Sequence, residues 1–250
     1  MERKSCVTCI ICFLIFSSCI CCDRKAVFSN QQYIVSDEYY NRAGSETTRD
    51  YLDNYLPLVE IIGWSRDGAV AYRYITTESE AGSRDYHLVI FNAVNDETME
   101  DDMLRMYHRY NEIQDELSKG YKAKWNMLLN MYDITGYIDD PFKEIYQHDF
   151  NTFPVNDFDC WFDYTIEKNK DDFANVIDWK LIMGNGNVKK IISHATERGY
   201  YDMHGRKILG YYKSPYENRI VIIISSSIFY YPYLEVLLYG CNMDIGLSEN

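Results

Sequence analysis

The segment Arg219-Ile220-Val221-Ile222-Ile223-Ile224 sets the tightest limit on what this chain can fold into. Successive side chains of a strand point to opposite faces, so a half-wet strand alternates apolar and polar residues. An unbroken apolar run is a strand covered on both sides. Any fold must therefore lay other elements against each face of this segment. The rest of the chain is rich in such cover, with 47% of its 250 residues hydrophobic, 16% aromatic and 24 of them tyrosine. A chain that apolar is not disordered, and its length suits one large domain or two small ones.

Other strands are predicted on both sides of this run. Val59 to Trp64 and Ala69 to Ile75 flank Ser65-Arg66-Asp67-Gly68, a tight-turn sequence in which glycine supplies a positive φ. Tyr86 to Phe91 adds a third member, giving a three-stranded meander. Cys160 to Ile166, Val176 to Met183, Val188 to Ser193, Lys207 to Tyr212 and Leu234 to Tyr239 follow later. Gly184-Asn185-Gly186-Asn187 predicts a hairpin between the second and third of these.

Between the two groups of strands the pattern reads as helical. Asn95 and Asp96 offer caps, acids load the next turn, and Met99, Met103, Met106, Tyr110, Ile113 and Leu117 recur at helical spacing. Gly120 reads as a stop. A second helical stretch places Trp125, Leu128, Leu129 and Tyr132 on one face. The expected fold class is α+β: antiparallel hairpins and a meander, with a central helical segment at about 96–133 packed on the sheet. Packing on the sheet is the expected role of the methionines. A subunit that needs a partner would instead leave that face apolar and exposed.

The formal net charge of -13 repels phosphate backbones, and no Lys/Arg run offers a local basic stripe, so nucleic-acid binding is not expected. The N-terminus carries its own address. Met1-Glu2-Arg3-Lys4 precedes an uncharged run from Cys6 to Cys22, whose apolar centre Val7 to Phe16 is ten residues long. That is short for a hydrocarbon core of ~30 Å, which takes about 20 helical residues. A basic start, an apolar centre and small residues before a cut site describe a secretory signal.

The residues Ile15-Phe16-Ser17-Ser18-Cys19 resemble the lipobox of bacterial lipoproteins, with Phe16 where leucine is usual. The relaxed form is similar to that of spirochaete lipoproteins. The resemblance implies cleavage after Ser18, diacylglycerol on the Cys19 thiol, and attachment to the cell membrane or outer envelope. Acyl chains contribute ~0.8 kcal/mol per buried CH₂, enough for two or three to hold a protein. An ordinary cleaved signal and an uncleaved anchor are the alternatives. On this reading residues 1–18 are the signal, 19–57 the lipidated end and polar tether, and 58–250 a single α+β body. Later residues, Lys213-Ser214-Pro215-Tyr216-Glu217-Asn218-Arg219 and Tyr239-Gly240-Cys241-Asn242, are also similar to spirochaete lipoproteins, which implies no activity.

Six of the eight cysteines crowd the first 22 residues, leaving Cys160 and Cys241 in the body. An oxidising compartment can pair two such cysteines; otherwise they are buried free thiols that act as small apolar residues. Sequence alone leaves both open.

Motifs that would carry chemistry fail on spacing. Trp64-Ser65-Arg66-Asp67-Gly68 resembles the W-S-x-D-G turn of TolB-type β-propeller blades, but it occurs once, and a propeller repeats its signature every ~40 residues. Gly63-Trp64-Ser65 begins like a nucleophile elbow, yet Gly68 stands one residue late and no helix follows. Ser65 is better placed to bond the turn backbone. In Gly184-Asn185-Gly186, Lys189 stands where a phosphate cradle needs a third glycine. His194, Glu197 and His204 are the best metal-like cluster, at looser spacing than zinc sites use. Asp157 and Asp159 would share a strand face without the rest of a calcium loop. No metal and no cofactor is expected. Tyrosine pairs such as Tyr200-Tyr201, Tyr211-Tyr212 and Tyr230-Tyr231, with Tyr216 nearby, could stack on sugars; adjacent strand positions more simply send one ring inward and one outward. The expected function is a lipid-anchored envelope protein acting as a non-catalytic binding or structural module, with a protein or glycan partner. The alternative is an envelope hydrolase whose acidic site is assembled only by the fold.

Overall fold

A computed structural model describes residues 33–34, 58–78, 83–107, 114–145, 150–167, 174–200, 204–228 and 234–249. All belong to one compact unit, Gln31–Asn250. The strands are β1 (Tyr33–Ile34), β2 (Leu58–Trp64), β3 (Ala69–Glu78), β4 (Ser83–Asn92), β5 (Glu97–Tyr107), β6 (Asp159–Glu167) and β7 (Ala174–Gly184). They continue with β8 (Val188–Tyr200), β9 (His204–Lys213), β10 (Arg219–Ile228), β11 (Leu234–Asn242) and β12 (Ser248–Glu249), and the helix α1 spans Gln114–Met131. Sheet 1 has the order β2-β3-β4-β5, sheet 2 β1-β9-β10-β11 and sheet 3 β12-β8-β7-β6, with antiparallel pairing throughout.

The apolar run sits where its pattern requires. Ile220, Val221, Ile222, Ile223 and Ile224 on β10 are each 0% exposed. Ile220, Ile222 and Ile224 pack with Phe162, Trp179, Leu181 and Met183 of sheet 3. Val221 and Ile223 pack with Val59, Trp64, Tyr72, Val89 and Phe91 of sheet 1. Sheet 2 is thus the middle of three stacked sheets. At ~2 kcal/mol for each fully buried aliphatic side chain, this one strand contributes on the order of 10 kcal/mol of transfer free energy as an upper bound. The far side of sheet 1 is closed by α1, whose Trp125, Leu128 and Leu129 meet Ala71, Leu88, Ile90 and Leu104. The layers run α1, sheet 1, sheet 2, sheet 3. Tyr211 and Tyr212 on β9 divide as expected, one ring to each side of sheet 2.

Both predicted hairpins form. Ser65 N–H donates to the Ala69 carbonyl at 2.8 Å, Ala69 N–H donates to Ser65 Oγ at 2.9 Å, and Gly68 has φ 87. Ser65 is therefore a turn residue of the β2–β3 hairpin. At the other turn, the Asn185 side-chain oxygen accepts the N–H groups of Asn187 at 2.9 Å and Val188 at 3.1 Å.

The helical segment is shorter than predicted. Residues 97–107 form β5, a fourth strand of sheet 1, and the protein is mainly β with one helix among the described residues. A spacing of four fits both periods: Met99 and Met103 share a face in a helix and equally in a strand. The intended caps also have other work. Asn92 Oδ1 accepts the N–H groups of Val94 and Asn95, which closes a turn, and Asp96 takes φ 56 while accepting the Gly240 N–H at 2.6 Å. Once the strand forms, Glu100 meets the Tyr132 hydroxyl and Asp102 meets Trp125 Nε1, so both acids face α1. Tertiary pairing overrides the helical pattern here.

Gly120 does not end the helix; α1 runs through it to Met131. The stop is Asp133, with φ 52, after which Ile134 N–H returns to the Leu129 carbonyl at 2.9 Å. That is a left-handed helix cap made by aspartate instead of glycine.

Candidate binding surface

Sheet 1 is covered by α1 on one side and by sheet 2 on the other, except along β5. There Met99 and Met103 turn away from α1 and are 38% and 45% exposed instead of packed. Sheet 2 lies between its neighbours. The outer side of sheet 3 is open across three strands. Its inner face is set by Phe162, Trp179, Leu181 and Met183, so the alternate residues face out. Register places them in rows across β6, β7 and β8. Trp161, Ile182 and Ile191 form one row; Asp163, Lys180 and His194 form the next; Thr165, Asp178 and Thr196 form the third.

A β-bulge sets the third member of the first row. Pairing runs Lys180↔His194 and Leu181↔Ser193, then shifts to Ile182↔Ile191, leaving Ile192 as an extra residue on β8. Ile192 packs inward, whereas Ile191 turns outward and is 52% exposed. In an unbroken register Ile192 would stand opposite Ile182, and Ile191 would move to the inner face. Ile182, between two large neighbours, is only 6% exposed. The outcome is an apolar bar, Trp161–Ile182–Ile191, lying on an otherwise polar sheet face.

The polar rows are ordered by hydrogen bonds. His194 Nε2 donates to Asp178 Oδ1 at 2.8 Å, and the Thr196 hydroxyl donates to the same oxygen at 2.8 Å. The bond from His194, then that from Thr196, hold the Asp178 carboxyl below its ordinary range. His194 and Asp178 side chains are 50% and 41% exposed, so this face is open to solvent.

This geometry separates the metal-like cluster. Positions three apart on a strand point to opposite faces. His194 faces out, while Glu197 faces in, accepting Trp179 Nε1 at 3.0 Å and Arg206 Nη2 at 2.8 Å. The His204 side chain lies outside the described residues. Asp157 and Asp159 share no strand face either: β6 begins at Asp159, and Asp157 sits in the preceding turn with φ 67. Among the described residues no three His, Cys, Asp or Glu side chains group as metal ligands.

A second charged cluster lies between sheets 2 and 3 and has no sequence signature. The Arg206 guanidinium lies 4.5 Å from the centre of the Trp179 ring while paired with Glu197. Its Nε and Nη1 are buried without hydrogen-bond partners. These two nitrogens flank the engaged Nη2 and so do not make a fork for one anion. Cys160 and Cys241 are buried free thiols in the same interlayer core, and Cys241 Sγ donates to Met183 Sδ at 3.9 Å. Ser18 and Cys19 lie outside the described residues. No helix among the described residues is long and apolar enough to cross a membrane.

No family model matches the chain, and neither a search of curated proteins nor one of solved structures finds a match.

Proposed function

We propose that this is an exported protein, held at the cell envelope by lipid on Cys19, whose body is a non-catalytic binding module acting through the outer face of sheet 3. The observation that carries the binding role is the apolar row Trp161–Ile182–Ile191. It sets a 52% exposed isoleucine beside Trp161 and Ile182, on a sheet side that no described element covers. An isoleucine would face out in this row in either register, Ile191 with the bulge and Ile192 without it, so the apolar row belongs to the face itself. The membrane attachment is supported by the signal-like start and by Ser17-Ser18-Cys19.

The non-catalytic reading is supported by how the acids are used. Glu60 pairs with Arg73, Asp85 with Arg105, Asp102 with Lys124, Asp178 with His194 and Glu197 with Arg206. Each is a carboxylate engaged with a basic side chain, not one of two acids converging on a cleft.

Two measurements test the proposal. Labelled palmitate is expected in the wild type and not in Cys19→Ala; equal labelling removes the anchor. Amine-reactive footprinting is expected to modify Lys180 and Lys189 less in isolated envelopes than in dilute purified protein, with Lys119 of α1 as the reference. Equal modification in the two settings removes the binding face.

A further inference from the structure

We infer that the occupant of this face is a second copy of the chain, packed sheet 3 to sheet 3 about a two-fold axis parallel to the strands. This rests on the reading of the outer face as a binding surface and names its partner. Three properties of the face point to self-association.

The first is the layer logic. The molecule already stacks sheet on sheet twice, and a second copy adds the same kind of layer at ~10 Å spacing. The second is self-complementarity. A two-fold axis parallel to the strands turns the β6 side of one face over the β7 and β8 side of the other. Trp161 then meets the Ile182–Ile191 part of the bar, and Asp163 meets Lys180 and His194, each contact occurring twice. A face bearing one sign of charge would repel itself; this one carries Asp163 and Asp178 beside Lys180 and His194 in adjacent rows.

The third is area. The strands of the face are 9, 11 and 13 residues long. At ~3.3 Å rise and ~4.8 Å strand spacing, the shared nine-residue length covers roughly 450 Å² in plan, and about 600 Å² once standing side chains are counted. Two such faces bury about 1,200 Å², at the lower edge of stable interfaces. A dissociation constant on the order of 1–100 µM is expected for a small face whose one apolar bar lies near the β7–β8 turn. Two chains anchored in one bilayer meet far more often than two free in solution, so weak pairing suffices there.

The test is sedimentation velocity on the full chain in mild detergent, from below ~1 µM to ~200 µM, a range set by that dissociation constant. The wild type is expected to pass from monomer to dimer. Ile191→Lys, at a position already exposed, is expected to weaken the dimer at least about tenfold, because it replaces an apolar anchor with a charge that the partner face must desolvate. Lys180→Glu is a second variant with the same expectation, and Met127→Lys on the outer side of α1 is expected to leave the dimer intact. Far-UV circular dichroism checks that each variant is folded. A dimer unaffected by Ile191→Lys and Lys180→Glu overturns the inference, because it uses another surface. A wild type that stays monomeric throughout also overturns it. If Lys180 is nevertheless protected in envelopes, the binding face stands with a different occupant. If Lys180 is unprotected there as well, the binding face falls too.

Discussion

Glu60 on β2 and Arg73 on β3 are direct cross-strand partners, and every N–H of the Arg73 guanidinium is engaged around that pair. Nε and Nη2 donate to Glu60 Oε2, Nη1 donates to the carbonyls of Asp140 and Pro141, and Nη2 also reaches the carbonyl of Lys143. The side chain is 4% exposed, so a charge sits inside the sheet surface and fastens the loop after α1 to it. Arg73→Met keeps the apolar stem but leaves Glu60 and three carbonyls without their donors. Loss of one partner of a buried, hydrogen-bonded ion pair costs about 3 kcal/mol. Urea unfolding is expected to show a loss of that size, with proteolysis opening first at 139–145. A loss below about 1 kcal/mol would mean the loop is held by other contacts.

A similar bond holds the segment where the helical pattern misleads. Asp102 on β5 accepts Trp125 Nε1 at 2.7 Å and Lys124 Nζ at 2.5 Å, and the Trp125 ring is 0% exposed. Asp102→Ala leaves a buried indole N–H unpaired, at a cost of about 1–3 kcal/mol. Lys124→Ala removes a surface ion pair and an exposed cation–π contact with Tyr121, and is expected to cost less than Asp102→Ala, about 1 kcal/mol or below. Equal effects of the two substitutions in thermal unfolding would contradict this placement of β5 against α1.

What the sequence makes legible divides along the same line. Ile220 to Ile224 must be buried on both faces, and its short, wholly β-branched run favours a strand over a buried helix, so the buried centre of the stack follows. The turns at Asp67-Gly68 and Gly184-Asn185-Gly186 are equally local, since backbone conformation and one side chain decide them. Residues 97–107 are not local in this sense. Met99 and Met103 suit either period, and the choice is made by β4 on one side and by α1 on the other. The outer face of sheet 3 is less legible still. Trp161 and Ile182 share a row through the β6–β7 register, Ile191 joins it because Ile192 turns inward as the extra residue of a bulge, and a one-residue slip has no signature in composition. The Ile191-Ile192 pair is the nearest thing to a signal: of two adjacent isoleucines in a strand, one faces out in either register.

Gly120 offers a gain instead of a loss. It lies inside α1, and a Cβ built there meets no atom within 4 Å. Glycine inside a helix costs about 0.5–1 kcal/mol relative to alanine, through the freedom it loses on folding. Gly120→Ala is expected to raise stability by that amount in urea titration. The same substitution at Gly63, where a Cβ would lie 2.0 Å from the Thr135 carbonyl oxygen, is expected to destabilise. A neutral or harmful effect at Gly120 would show that something packs on this turn of α1.

The buried thiols make a pH-dependent claim. Burial pushes the Cys241 thiol up to about 11 from 9.0, and it raises Cys160 further. In the unfolded chain both release a proton near pH ~8.5. The native state therefore holds its thiol protons more tightly. The stability linked to them is fully present below the unfolded pKa and is lost as pH rises from about 9 toward the folded values. Tyrosine ionisation falls in the same range, so the comparison must be with a Cys160→Ala, Cys241→Ala double variant. The wild-type urea midpoint is expected to fall more steeply between pH ~9 and ~11 than that of the variant, and iodoacetamide at pH ~8 is expected to reach neither thiol until the chain unfolds. Parallel pH curves would contradict the burial of the two thiols. Denatured, unreduced protein that yields a Cys160–Cys241 cross-linked peptide would show instead that the chain joins sheets 2 and 3 covalently.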